Sequence, residues 1–175
     1  MRAQRGFTLL EMLVAITLVI VLYVTMLDRL LPMRGDAEAA NVATVAGALR
    51  SALGLEVADR LVRGNLEAVA ELDGANPMRF LAEQPENYLG EVNGVDPTNL
   101  PPGNWYFDGA SGELVYLVRY TDYFRTELPD PARMIFRVRL VHNERDELAG
   151  VRLERVNAFV WTQSAQLAEL LEQQQ

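Results

Sequence analysis

The chain has 175 residues, half of them apolar, and its 24 acidic side chains outnumber 16 basic ones for a net charge of −8. Every basic residue is arginine, cysteine is absent and His142 is the single histidine, which excludes disulfides, thiolate chemistry and a multi-histidine metal centre. An acidic chain lacks the basic face of a general nucleic-acid binder, and half-apolar composition with mean hydropathy near zero argues for a folded domain.

The apolar residues are concentrated at the start. From Phe7 to Leu27 the one charged residue is Glu11, and a helix of about 20 residues spans a bilayer core of ~30 Å. A soluble core helix seldom runs this far without a polar face, so a membrane helix is the reading preferred over a buried one. A secretory signal peptide would use Arg2 and Arg5 as its basic region. Its cleavage would need small residues beyond the apolar stretch, and Asp28-Arg29-Leu30-Leu31-Pro32 supplies none. Arg2 and Arg5 on one side face Arg29 and Arg34 on the other, a slight bias that favours a cytoplasmic amino terminus.

Glu11 is informative because an acid at mid-helix in a membrane costs on the order of 2.5–3.5 kcal/mol and normally has a partner. No cation lies within the segment. A cut between Gly6 and Phe7 would create an α-ammonium four residues before Glu11, about 6 Å along a helix. Neighbouring helices staggered by that amount could pair one chain's amine with the next chain's Glu11. The plainer alternative leaves Glu11 in the headgroup region.

The surrounding residues, Arg5-Gly6-Phe7-Thr8-Leu9-Leu10-Glu11-Met12-Leu13-Val14-Ala15, resemble the class III signal of type IV pilins and type II secretion pseudopilins. The resemblance implies cleavage after Gly6 by a prepilin peptidase that also methylates Phe7, and use of Glu11 in assembly into a helical filament. It further implies partners in other pilin-like subunits and an inner-membrane assembly platform. The cut would remove Arg2 and Arg5, taking the side-chain charge from −8 by two to −10. Many members have a proline in the last third of the apolar stretch. Here Pro32 comes later, so any local melting on assembly is expected around Pro32 and Gly35.

Beyond Gly35 an amphipathic helix is predicted, with Val42, Val45, Ala46, Leu49, Leu53, Val57 and Leu61 on the apolar stripe. Glu38, Asn41, Thr44, Ser51, Asp59 and Arg63 are assigned to the wet side. Gly64-Asn65 supplies the stop. A short helical turn is expected within Asn65 to Leu72, and Met78, Phe80 and Leu81 are candidates for the core. Val92 to Asn104, rich in Gly, Pro, Asn and Asp, reads as a loop that varies and makes contacts.

Two hairpins follow. Asn104 to Phe107 turns through Asp108–Gly112 into Leu114 to Tyr120, and Met134 to His142 turns through Asn143–Glu147 into Val151, Leu153 and Val156, continuing to Phe159-Val160-Trp161. His142 reads as a solvent-facing strand residue. Ser164 to Gln175 could form a helix with Leu167, Leu170 and Leu171 on one side, or a frayed tail.

The predicted fold is α+β: a long helix packed on an antiparallel sheet of about four strands, as the pilin resemblance also implies. Its segments are a leader (1–6), a membrane and filament-core helix (7–31), a stalk helix (36–64), a globular domain (65–163) and a tail (164–175). Asn76-Pro77-Met78, Asn87-Tyr88-Leu89-Gly90 and Gly103–Asp108 followed by Gly112–Tyr116 look similar to pilin-like proteins of secretion or mannose-sensitive-haemagglutinin-type pilus systems.

No catalytic residues are assigned: the spacing of Asp108, Glu113, Asp122 and Glu127 supports no acid–base pair, and no phosphate loop, serine elbow or zinc motif occurs. No cofactor is expected, calcium excepted, because major pseudopilins can bind it and Asp96, Asn99, Asn104 and Asp108 offer hard oxygens. The absence of cysteine suits a pseudopilin better than a disulfide-closed major pilin, and Glu11 suits a shaft or near-tip subunit better than a cap. The leading function is therefore a subunit of a type II secretion pseudopilus, stored in the inner membrane with its carboxy-terminal domain in the periplasm. The alternatives are a minor pilin of a type IV pilus and, from another class, a membrane-tethered periplasmic binding domain or enzyme. A single-pass sensor would need a cytoplasmic output domain, for which six residues are too few.

Overall fold

In the computed structural model, which describes residues 8–146 and 148–161, one helix of 54 residues, α1 (Leu9–Val62), carries the rest of the chain. At 1.5 Å per residue it is about 80 Å long. Thr8 caps its start, the hydroxyl oxygen accepting the Glu11 amide at 3.2 Å. Its end is a Schellman motif: the Asn65 amide donates to the Arg60 carbonyl, the Gly64 amide donates to the Leu61 carbonyl, and Gly64 takes φ +72°. The sequence places two helices either side of residues 32–35, whereas the backbone stays helical through both Pro32 and Gly35. The proline removes only one amide from the ladder, and the turn that follows is held against the domain.

After α2 (Leu66–Ala70), within the turn expected there, come seven strands: β1 (Tyr88–Val92), β2 (Trp105–Asp108), β3 (Glu113–Leu117), β4 (Phe124–Thr126), β5 (Arg133–His142), β6 (Leu148–Arg155) and β7 (Phe159–Trp161). The main sheet has the order β1-β2-β3-β5-β6. Its last four strands form the expected antiparallel meander, and β1 joins the β2 edge in parallel. A parallel neighbour needs a crossover of about a dozen residues. The Gly/Pro-rich segment 93–104 is that crossover, and it also lies over the sheet. Leu100, with Val92 and Ile135, packs on Tyr106, Val115 and Leu117. Strands β2 and β3 are consequently covered on both faces.

The stretch after β6 does not continue it. Asn157 turns the chain away: its side-chain oxygen accepts the Ile135 amide at 2.8 Å, and its amide group donates to Thr126 Oγ1 at 3.1 Å and to the Arg133 carbonyl at 3.2 Å. Strand β7 then pairs with β4 in a separate two-stranded sheet.

The core lies between α1 and the inner sheet face. Val42, Leu49, Leu53 and Val57 meet Trp105, Phe107, Leu114, Tyr116, Phe136, Val138 and Leu153, with Val69, Leu72 and Met78 closing one end. Phe80 and Leu81 pack on this cluster as expected. Two helix positions depart from the sequence reading. Leu61 ends the stripe in solvent, since the sheet does not extend beneath the last turn, and Glu38, assigned to the wet side, is buried with 7% of its surface exposed.

Candidate functional site

The first functional surface is the start of α1. Leu9–Leu27 has a mean hydropathy of 2.5, and none of it is buried within the chain. Its two threonine hydroxyls are satisfied inside the helix: Thr17 donates to the Leu13 carbonyl at 2.9 Å and Thr25 to the Val21 carbonyl at 2.6 Å. The helical backbone and both threonines here therefore need no water, which suits a helix in lipid. A core helix of a soluble protein of this length would be covered by its own chain; this one fits a membrane anchor. Glu11 sits in the first turn, exposed, with no cation paired to it among the described residues. Gly6 and Phe7 lie outside the described residues, as does the tail from residue 164.

The second feature fixes the domain to that helix. Both oxygens of Glu38 are used: Oε1 accepts the Tyr116 hydroxyl at 2.8 Å and the Arg119 amide at 2.7 Å, and Oε2 accepts the Tyr120 amide at 2.9 Å. Burial, reinforced by the hydrogen bond to this carboxylate, pushes the Tyr116 phenol well above its ordinary pKa. One turn earlier, Gly35 lies under Tyr123, where an added Cβ would stand 2.8 Å from the Tyr123 Cβ. Sequence reasoning passed over Glu38 because it is charged. Its spacing was available as a signal, since position 38 continues the 42, 46 series of buried residues at intervals of four.

Three of the four calcium candidates make local hydrogen bonds with the backbone. Asp96 Oδ1 accepts the Thr98 amide and caps a short 3₁₀ turn that contains Asn99. Asn104 turns its amide group to the Pro101 and Pro102 carbonyls. Asp108 lies at the far end of β2 from Asn104, about 13 Å along a strand at 3.3 Å per residue. Burial raises the Asp108 carboxyl, but hydrogen bonds from the Gly94 and Ala110 amides help outweigh it and leave the group below the usual range. Among the described residues no group of three or more His, Asp or Glu side chains is placed to hold a metal ion. Glu113 pairs with Arg137 at 3.0 Å, Asp122 and Glu127 are exposed, and His142 ends β5 in solvent as expected.

An uncovered apolar helix with one acid near its start, fused to a helix-on-sheet domain, fits the class of membrane-anchored proteins. Residues 1–22 match the family described as the prokaryotic N-terminal methylation motif. This is the class III signal of type IV pilins and pseudopilins, and with the α+β architecture it supports a type IV pilin-like protein. Such a motif implies processing by a prepilin peptidase and assembly with other pilin subunits. Comparison with curated proteins and with solved structures gives no significant match.

Proposed function

We propose that the protein is a structural subunit of a type II secretion pseudopilus, non-enzymatic, stored in the inner membrane with its domain in the periplasm. The observation that carries this reading is the wholly uncovered apolar helix with Glu11 in its first turn. A nineteen-residue, mostly apolar span that its own chain leaves unburied has lipid as one partner and the same helix of neighbouring subunits as another. Moving from the first to the second would bring Glu11 beside the amine created by the cut before Phe7, which neutralises the one charge on the segment. The absence of cysteine and the presence of Glu11 favour a shaft or near-tip pseudopilin over a disulfide-closed major pilin or a cap.

The test is crosslinking in membranes. Because the chain has no cysteine, Ile16→Cys adds a single thiol within the apolar helix. Co-produced with a prepilin peptidase and a type II assembly platform, this variant should form helix-to-helix disulfides that Glu11→Leu reduces sharply while cleavage continues. Crosslinking that ignores Glu11→Leu would remove the charge-pairing role. Crosslinking supported only by a type IV pilus platform would make the protein a pilus subunit instead.

A further inference from the structure

A cavity of about 660 Å³ opens between α1, the loop at residues 85–87 and the segment after β3. Two guanidiniums line it, Arg34 from α1 and Arg119 from the β3 end, and neither forms an ion pair among the described residues. Arg119 is held in place. Its guanidinium lies across Gly103, where an added Cβ would stand 2.6 Å from Nε, and its Nη2 reaches the Pro102 carbonyl at 3.4 Å. Gly103 is itself fixed, its carbonyl accepting the Asn87 side-chain amide at 2.8 Å. Of the two acids on the wall, Glu38 has both oxygens hydrogen-bonded within the fold, whereas Glu86 is exposed and unpaired among the described residues. The cavity thus offers two cations beside one free carboxylate.

Its height above the membrane identifies the occupant. Arg34 follows the end of the apolar span at Leu27 by seven residues, about 10 Å of helix axis. A headgroup layer is about 5–8 Å thick. Side chains on a helix lean toward its amino terminus, here back toward the span, so Arg34 reaches into that layer. Tyr120 lines the same cavity and Tyr123 stands beside Gly35, aromatic residues of the kind enriched at the membrane–water boundary. The geometry points to a headgroup site for a zwitterionic phospholipid, the phosphate taken by Arg34 and Arg119 and an ammonium by Glu86, with phosphatidylethanolamine as the matching lipid. Such a site would seat the domain on the leaflet while the subunit awaits assembly. The inference rests on the membrane-anchor reading.

The experiment uses the full chain in vesicles, with an environment-sensitive fluorophore on Thr121→Cys beside the cavity, or on Ala110→Cys at the far turn between β2 and β3. As phosphatidylethanolamine replaces phosphatidylcholine, emission at residue 121 should change saturably and emission at residue 110 should not. Arg34→Gln with Arg119→Gln should abolish the response, and Glu86→Gln should erase the preference for ethanolamine over choline. A label at residue 121 that ignores the lipid, or a double variant that titrates like its parent, would overturn the site. A response that follows protein density at fixed lipid composition would also overturn it and assign the arginines to a neighbouring copy. Ala15→Cys with an acyl-chain quencher tests the anchor separately: lack of quenching there would mean that the helix is not in the membrane.

Discussion

Glu38 on α1 accepts the hydroxyl of Tyr116 on β3 at 2.8 Å, a buried contact between residues 78 positions apart in sequence. With the Arg119 and Tyr120 amides on the same carboxylate, it joins the long helix to the end of the sheet at a single level. Beyond that level the stripe from Val42 to Val57 packs on the sheet, and the apolar span before it is bare.

Removing this carboxylate should therefore loosen the domain from its helix. Glu38→Ala leaves one buried hydroxyl and two amides without an acceptor and should cost about 3–5 kcal/mol, whereas Tyr116→Phe should cost about 1–3 kcal/mol. The two effects should fall short of additive in a double-mutant cycle followed by denaturant unfolding. Asn41→Ala, one turn along on the exposed face, should stay within about 0.5 kcal/mol.

The same contact sets an alkaline limit. Tyr116, Tyr88 and Tyr106 all have phenols raised above their ordinary values, mainly by burial. The folded state thus holds protons that the unfolded state releases near pH 10, and stability should be flat below about pH 10 and fall as pH rises through the folded values. Urea midpoints measured from pH 8 to 11 should show this decline, and Tyr116→Phe should make it shallower. An unchanged slope in that variant would contradict the assignment.

The helix glycines should separate into two kinds. Gly35→Ala drives a methyl into Tyr123 and should destabilise by about 1–3 kcal/mol. Gly47→Ala and Gly54→Ala meet nothing within 4 Å and should stabilise by about 0.4–1 kcal/mol. Thermal unfolding of the three single variants checks the order.

Calcium should leave the melting temperature unchanged, because Asn104 and Asp108 stand at opposite ends of β2 and Asp96 caps a turn of its own. A rise in Tm on adding millimolar calcium, reversed by a chelator, would locate a cation in this loop region after all.

The apolar first half of α1, the stalk stripe and both hairpins were legible because each keeps one hydrophobic pattern over many residues. Val42, Ala46, Leu49, Leu53 and Val57 are buried as their spacing requires. What escaped were features set by partners distant in sequence. Strand β1 is short, contains Gly90 at φ +94° and is completed only by its parallel pairing with β2. Strand β7 reads as a continuation of β6 until the Asn157 side chain is seen to divert it. Glu38 was misplaced because a carboxylate on a helix is usually solvated; its three donors come from residues 116–120, which no local pattern connects to position 38. Gly6 and Phe7, the expected cleavage and methylation residues, stood out for the opposite reason, since they lie in a linear motif.

The motif at residues 1–22 should act as a processing signal. The full chain should be produced with a prepilin peptidase and its amino terminus determined by mass spectrometry, with a Gly6 substitution as control. The mature chain should begin at N-methylated Phe7, and the control chain should stay uncut. An intact Met1 terminus, under conditions where a known prepilin is processed, would contradict it and leave a tethered domain in place of a filament subunit.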